Sequence, residues 1–317
     1  MSKIQSPFRD PEGGGCALPG AAPDPARAAR MRGALSEALQ GLQQARMALL
    51  RPHAQGGLVP HGSGHFHSAP ELFVQLAGWT RFEFPGRSCR LEAGEALLLP
   101  PQLLHAEQVG PGPDGQAFCN LVLYADAQGF SSHLASEQRP GLPGVQHLET
   151  RRTPQAGRMQ AWLLDACPRA GLPPSDWDEA QARALVSATL ASALRLLAQS
   201  TGQASEEHPL VARVKLWVKN RLGEQDLSVR GLAQQAGCTA DYLSQLFHRH
   251  TGEHLVAHIV RLRMERAAQL LLDGRMAGKA VAWACGYASH SYFTQSFRQH
   301  HGATPTAWRR SQPAPPA

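Results

Sequence analysis

One short pattern occurs twice in the last third of the chain, and no other feature limits the possible folds as strongly. The first copy reads LAQQAGCTADYLSQLFHRHTG from Leu232 to Gly252, and the second VAWACGYASHSYFTQSFRQHHG from Val281 to Gly302. Ala233 aligns with Ala282 and Gly237 with Gly286 at an offset of 49. Tyr242 aligns with Tyr292, Gln245 with Gln295, Phe247 with Phe297 and Gly252 with Gly302 at an offset of 50, so the second turn is one residue longer. A repeat of this length marks a supersecondary unit used twice.

Each copy reads as helix, turn, helix. The first helix ends at Gly237 or Gly286, where a left-handed residue closes it at low cost. Thr239 or Ser289 then caps the second helix by accepting from its unpaired N–H groups. The spacing predicts a buried stripe of Tyr242, Leu243, Leu246 and Phe247, and in the second copy Tyr292, Phe293, Ser296 and Phe297. The remaining faces are polar: Asp241, Ser244, Gln245 and His248, then His290, Ser291, Thr294, Gln295 and Arg298. Groups that donate and accept hydrogen bonds are what reading base edges in a major groove requires. The plainer alternative is two helical hairpins with solvated faces.

Charge distinguishes the two. From His208 to Arg310 there are 14 Lys and Arg against 6 Asp and Glu, a balance of +8. The whole chain carries +6, so the rest is at −2. The positive charge sits with the repeat, as a phosphate-binding surface needs. Double-stranded DNA is therefore the expected partner. The six cysteines are scattered without a CxxC pair, which points to reduced thiols in a cytoplasm. No apolar run approaches the ~18 residues of a membrane span, and the N-terminus has no apolar signal core.

The 317 residues suffice for two domains and a connector. Residues 1–26 are rich in Gly, Ala and Pro and read as a disordered tail. Residues 27–126 read as one domain. An amphipathic helix comes first, with Met31, Leu35, Leu39, Leu42, Ala45 and Leu49 recurring at helical spacing to about Leu50. Short strands follow (ELFVQLAG, WTRFEF, SCRLEAG, EALLLPP and FCNLVLY), with turns at Gly78, Pro85-Gly86 and Gly94, as in an antiparallel β-barrel or sandwich. Residues 127–207 read as an irregular segment with a surface loop at SSHLASEQRPGLPG, then two helices (157–167 and 177–199) and a polar linker from Ser200 to His208. The helical pair suits a dimer interface or packs back on the barrel. Residues 208–311 form the output module. Its first helix carries Val211, Val214, Leu216, Val218 and Leu222, Ser228 caps the next, and the two helix-turn-helix motifs lie at about 229–250 and 279–301. Between them, Glu253–Leu272 reads as a helix of roughly 30 Å. That is close to one duplex turn of about 34 Å, so two reading helices can enter successive major grooves on one face.

Within the strand-rich segment His65 and His67 stand two apart, which places them on one face of a strand. With Glu71 and His105 they form a donor set for a divalent metal such as iron, manganese, nickel or zinc. Without metal, the same groups line a pocket for a small-molecule effector. The arrangement resembles the cupin superfamily. His65, His67, Glu71 and Gly78 fit its first motif without a gap, with Val59 in place of its leading Gly. Gly94, Pro100 and His105 fit the second, with Gln102 in place of the inner Gly and Val109 in place of the Asn.

The segment from about Pro209 to Arg310 resembles the AraC/XylS family of bacterial transcription regulators, through YLSQLFHRHTG, RLRMERAAQLLL and AWACGYASHSYFTQSFRQHHGATPTAWR. Tyr287 stands where Phe is usual and His258 where Tyr is common. The resemblance implies that the second helix of each copy docks in the major groove, presenting the polar residues named above. Gln245 and Gln295 are the best base readers, because Gln can bond adenine through two groups. Ser244 and Thr294 suit a base or a phosphate, and His248 and Arg298 suit phosphates. Asp241 can only accept, from cytosine N4, unless it caps locally.

The expected fold class is α+β multidomain: an antiparallel, cupin-like β-barrel followed by an all-α module with two helix-turn-helix motifs. The expected function is a sequence-specific transcription regulator that answers to an effector in the barrel. It is expected to be a homodimer, with RNA polymerase as a further partner, and not an enzyme. The alternative is a metal-dependent cupin enzyme, built on His65, His67, Glu71 and His105, tethered to a DNA-binding module.

Overall fold

A computed structural model describes residues 25–52, 67, 69–84, 87–126, 129–168, 175–199, 208–273 and 276–312. The described residues fall into two units, 25–199 and 208–312. No helix among them is long and apolar enough to cross a membrane.

The first unit opens with α1 (Pro25–Gln43) and then runs through β1 (Ala48–Leu50), β2 (Glu71–Ala77), β3 (Trp79–Phe84), β4 (Arg87–Glu92), β5 (Glu95–Leu99), β6 (Ala106–Gly110), β7 (Cys119–Ala125), β8 (Gly129–Arg139) and β9 (Leu142–Arg152). It ends in α2 (Ala156–Ala166) and α3 (Asp176–Gln199). The strands form two sheets, a six-stranded one in the order β1-β5-β2-β7-β8-β9 and a three-stranded one in the order β4-β3-β6. All pairings are antiparallel except β1 with β5.

Alternation along the strands gives the large sheet two different faces. Leu72, Val74, Leu98, Leu121, Leu123 and Leu134 point to one face, where they share a core with Met31 and Leu35 of α1, Met159 and Leu163 of α2, and Val186 and Leu190 of α3. The other face carries Glu71, Phe73 and Gln75 of β2 and, by register, Asn120, Val122 and Tyr124 of β7 and His133 of β8. The small sheet covers this face: the Phe73 and Phe82 rings meet edge to face at 4.9 Å. At the corner between β2 and β3, Gly78 has φ +66°, and a Cβ there would lie 2.4 Å from the Gly110 carbonyl oxygen. Only glycine fits that approach.

Three expectations are corrected. The sheets do not close into a barrel, because one face of the large sheet is occupied by helices and the small sheet pairs only within itself. The helix expected to reach Leu50 ends at Gln43; Ala45 turns to φ 54°, and Leu49 belongs to β1, alongside Ala96 of β5. The segment read as an irregular loop is the hairpin of β8 and β9. Its register shifts at Leu134/Ala135 and at Glu137/Arg139 break the two-residue period that would have revealed it.

The second unit is all helical: α4 (Pro209–Arg221), α5 (Val229–Gln235), α6 (Ala240–Thr251), α7 (Leu255–Asp273), α8 (Gly278–Ala284), α9 (His290–His301) and α10 (Pro305–Ser311). His208 and Ser228 cap α4 and α5 with their side chains. Val211, Val214, Val218 and Leu222 share a core with Leu232, Leu243, Phe247 and Ile259.

Candidate nucleic-acid interface and the inter-sheet polar cluster

The two helix-turn-helix motifs are built from the same hydrogen bonds. Gly237 and Gly286 have φ +68° and +76°. After them, Cys238 N–H donates to the Ala233 carbonyl and Tyr287 N–H to the Ala282 carbonyl, both at 3.0 Å, closing α5 and α8 in the same way. Thr239 Oγ1 accepts from Tyr242 N–H and Ser289 Oγ from Tyr292 N–H, both at 3.3 Å. Both second helices end in a left-handed glycine, Gly252 at φ 72° and Gly302 at φ 76°.

The structure leaves the polar faces of α6 and α9 open. Asp241, Gln245 and His248 are exposed, as are His290, Ser291, Gln295 and Arg298. Ser244 and Thr294 are half-buried, and their hydroxyls donate back to the Ala240 and His290 carbonyls at 2.8 and 2.9 Å. The buried stripe is narrower than its spacing predicts. Leu243, Leu246, Phe247, Phe293 and Phe297 are buried, whereas Tyr242 is 41% and Tyr292 62% exposed. Ser296 is half-buried and interacts with Tyr287. The tyrosines were placed on the wrong side because the helical period leaves a residue at the stripe's edge free to lean either way.

Helix α7, of 19 residues, separates the two motifs by about 28 Å of helix. Its start is fixed by Glu253, which accepts from Arg261 Nε and Nη2, each at 3.0 Å, and lies 2.9 Å from His258 Nδ1. These bonds, led by Arg261, hold the Glu253 carboxyl down at about 2. Further along, Arg263 reaches carbonyls at the end of α4 and lies over the ring of Tyr287.

In the first unit the structure brings together His67, Glu71 and His105, all buried, with one ligand-type atom from each within 4.8 Å of the others. Glu71 Oε2 lies 3.3 Å from His67 Nε2 and 3.7 Å from His105 Nε2. His105 Nδ1 lies 2.9 Å from the Leu103 carbonyl, which can only accept, so Nδ1 carries the proton and the Nε2 lone pair turns toward Glu71. Gln102 adopts φ 64° where the cupin motif has glycine, and its N–H donates to the His67 carbonyl at 2.8 Å. His65, the fourth candidate, lies outside the described residues.

The pattern of the sequence did not reveal several members of this cluster. Glu107 Oε1 lies 3.9 Å from His105 Nε2. Tyr124 hydrogen-bonds Glu71 and stacks on His133 at 5.9 Å. Burial pushes the Glu71 carboxyl well above its ordinary range, with the Glu107 charge adding to it, and pushes Glu107 up to about 7. Burial also takes the imidazoles of His105 and His133 down to about 4. The imidazoles of His67 and His105, with a buried Glu71 oxygen that accepts no hydrogen bond among the described residues, match the donor set of a divalent cation. The alternation of Asn120, Val122 and Tyr124 could have placed Tyr124 on this face. His133 lay in a segment read as a loop.

Comparison with known proteins agrees with the second unit. Residues 232–311 match the family described as a helix-turn-helix domain. Residues 232–311 are thus a helix-turn-helix module, and the proteins this chain resembles are described as transcriptional regulators. The chain is similar to the HTH-type transcriptional regulator YijO of Escherichia coli K12, with 27% identity over 242 residues, 76% of this chain and 81% of YijO. It is also similar to the HTH-type transcriptional regulator ExsA of Pseudomonas aeruginosa, 34% identical over 118 residues, which span 37% of this chain and 41% of ExsA. Among solved structures, the C-terminal domain of AraT, a response regulator from Geobacillus stearothermophilus, aligns with a TM-score of 0.33 and 26% identity over 35% of this chain and 89% of that domain.

Proposed function

We propose that the chain binds specific duplex DNA through α6 and α9 and regulates transcription in response to a ligand held by its first unit. The observation that supports this most is the duplicated, identically capped helix pair, whose second helix keeps a polar face in solvent in both copies. In this reading Gln245 and Gln295 read base edges. Asp241, Ser291 and His290 lie beside them, and His248 and Arg298 hold phosphates. The hydroxyls of Ser244 and Thr294, tied to their own helices, accept hydrogen bonds rather than donate them. Two such heads, about 28 Å of helix apart, suit successive major grooves.

The first unit is read as a cupin-like sensor, with two copies pairing through the outer faces of α2 and α3. RNA polymerase is the further partner this reading implies. His67, Glu71 and His105 would hold a divalent cation or contact an organic effector. A bound cation would supply a fixed positive charge beside two buried carboxyls. The chain's own residues orient the site: Leu103 fixes the tautomer of His105, and Gln102 ties the backbone of His67 to the loop before β6. Regulation requires that the ligand bind one of two conformations more tightly.

Selection from a random duplex library, followed by footprinting of the enriched sequence, tests the reading. One or two protected major-groove tracts per copy of the chain are expected. Recovery of no enriched sequence, or equal affinity for all duplexes, would overturn sequence-specific regulation. The convergence of His67, Glu71 and His105 also favours a second reading, a cupin enzyme carried on a DNA-binding module. A chain that binds its duplex and responds to effector after its metal is stripped would remove that reading.

A further inference from the structure

Seven residue pairs are identical between the two copies of the repeat, and the structure gives four of them a role in the fold. Ala233 and Ala282 are each 2% exposed, and Phe247 and Phe297 are fully buried. Gly237 and Gly286 close the first helices with positive φ, and Gly252 and Gly302 close the second. The remaining pairs are Gln245 with Gln295, already assigned to base reading, His250 with His300, exposed in the last turn of each helix, and Tyr242 with Tyr292. The tyrosines occupy the same place, three residues after the capping side chain; Tyr242 is 41% and Tyr292 62% exposed, and the Tyr292 ring also stands 5.8 Å from that of Tyr287. Packing accounts for part of each ring but not for the phenolic hydroxyl that both copies carry.

We infer that Tyr242 and Tyr292 are positioning contacts, each donating its phenolic hydroxyl to a backbone phosphate on the wall of the groove its helix enters. The inference rests on the DNA-binding reading above. At 3.6 residues per turn, Asp241, Gln245 and His248 form the centre of the open face of α6, and Ser291, Gln295 and Arg298 that of α9. Tyr242 and Tyr292 lie on one flank of that face, and Ser244 and Thr294 lie on the other. A helix with side chains is about 10–12 Å wide, and the major groove is about 12 Å wide. The centre of the face at Asp241 and Gln245, and at Ser291 and Gln295, therefore meets base edges, while the flanks, and His248 and Arg298 a turn further along, meet the sugar-phosphate strands.

The hydroxyl protons on the two flanks differ. Those of Ser244 and Thr294 already go to the Ala240 and His290 carbonyls. Among the described residues no acceptor takes the phenolic protons of Tyr242 and Tyr292, whose backbone N–H groups are the donors that bond the capping side chains. Both phenols also stand in the first turn of their helices, where the backbone dipole favours an anion. A neutral donor at this place fixes register without reading sequence.

Tyr242→Phe and Tyr292→Phe in the full chain test this, with affinity measured on the selected duplex and on a scrambled one over a range of salt. Each hydroxyl removed is expected to weaken both duplexes about three- to tenfold, the scale of one neutral hydrogen bond. The slope of log affinity against log salt should stay unchanged, because a neutral donor releases no counterion; Arg298→Ala should make it shallower. Phosphate ethylation gives a second readout. One interfering phosphate per half-site should be lost for each Phe variant while the others remain. Wild-type affinity of both Phe variants on both duplexes would overturn the inference. So would a loss confined to the selected duplex with preference relaxed at one base pair, which would make the tyrosines base readers. If the wild-type chain itself enriches no sequence and retains no duplex, the DNA-binding reading has failed and this inference falls with it. Wild type that binds beside unaffected Phe variants sinks this inference alone.

Discussion

Arg263 donates from Nε to the carbonyl oxygen of Leu222 at 3.1 Å, across 41 residues of chain. Leu222 is the C-terminal cap of α4, in the first half of the helical unit, while Arg263 lies within the connecting helix α7. The same guanidinium bonds the Glu224 carbonyl at 2.6 Å and sits 5.4 Å from the ring centre of Tyr287, in the turn of the second motif. One cation thus satisfies carbonyls at a helix end and touches both halves. Gly286 makes room for it: a Cβ there would lie 2.5 Å from Arg263 Nη2 and 2.6 Å from the Leu222 oxygen.

Removing this link should loosen the helical unit. Arg263→Ala is expected to cost about 1.5–3 kcal/mol, the scale of hydrogen bonds to a charged group. Gly286→Ala combines the close approach with a positive φ and should cost about as much. Urea unfolding of the full chain measures both. Stabilities within about 0.5 kcal/mol of wild type would show that the link carries little.

The two glutamines should behave as base readers. Gln295→Ala is expected to lose about 1–3 kcal/mol on the selected duplex and to relax preference at one base pair. Gln245→Ala should do the same in the neighbouring half-site. Equal weakening on every sequence would reassign these side chains to the backbone.

Acid should act on the first unit through His133. Its imidazole is held down at about 4 by burial, against an ordinary value of 6.5. The folded value lies below the unfolded one, so between those limits the unfolded chain binds a proton that the folded chain does not. The His133 contribution is therefore whole above pH 6.5 and lost as pH falls toward 4. Buried His105, also at about 4, acts in the same direction. Glu107, pushed up to about 7, acts in the opposite one, losing stability as pH rises from 4.5 through 7. Comparing wild type with His133→Leu isolates the first effect. Relative to wild type, the variant should gain on the order of 3 kcal/mol between pH 6.5 and 4. A difference that does not change with pH in urea melts would contradict this.

A divalent cation should stabilise the chain through His67, Glu71 and His105. Ligand at a hundredfold excess over its Kd adds about 2.7 kcal/mol, which for a chain of this size raises Tm by about 5 °C or more. Zinc, nickel and manganese chlorides should be tried in turn, with chelator reversing the shift. Glu71→Gln and His105→Ala should abolish it. A shift that survives both substitutions would place the cation elsewhere.

Much of the helical unit could be read before any coordinates. The caps at Ser228, Thr239 and Ser289, the left-handed Gly237 and Gly286, and helix α7 are closed by hydrogen bonds between residues at most a few positions apart. Local pattern is enough for such features, because the partners are neighbours in the chain. The repeat supplied a second, independent copy of the same signal.

The first unit was less legible. Its motif residues stand out at fixed spacing, whereas nothing in the local pattern marks Glu107 and His133 or shows β8 and β9 as strands. Whether His133 meets Tyr124 depends on the register of β7 against β8, which is a matter of pairing between strands and not of the pattern along either one. The exposure of Tyr242 and Tyr292 had the same kind of cause. Spacing places a residue at the edge of a stripe, but the packing of neighbouring helices decides on which side it falls.

By itself the sequence determined the duplicated helix pairs, their ends, the basic bias of the last third and the chemistry of their polar faces. Each helix pair, with its ends and its polar face, is encoded in one continuous stretch of chain, and the basic bias is a matter of composition alone. Only the tertiary structure decided that the sheets stay open, that two carboxyls and three imidazoles share one buried space, and that a single arginine joins the two halves of the helical unit. Each of those depends on which distant segments pack together. That choice is made by burial summed over the whole core, which no local window of sequence contains.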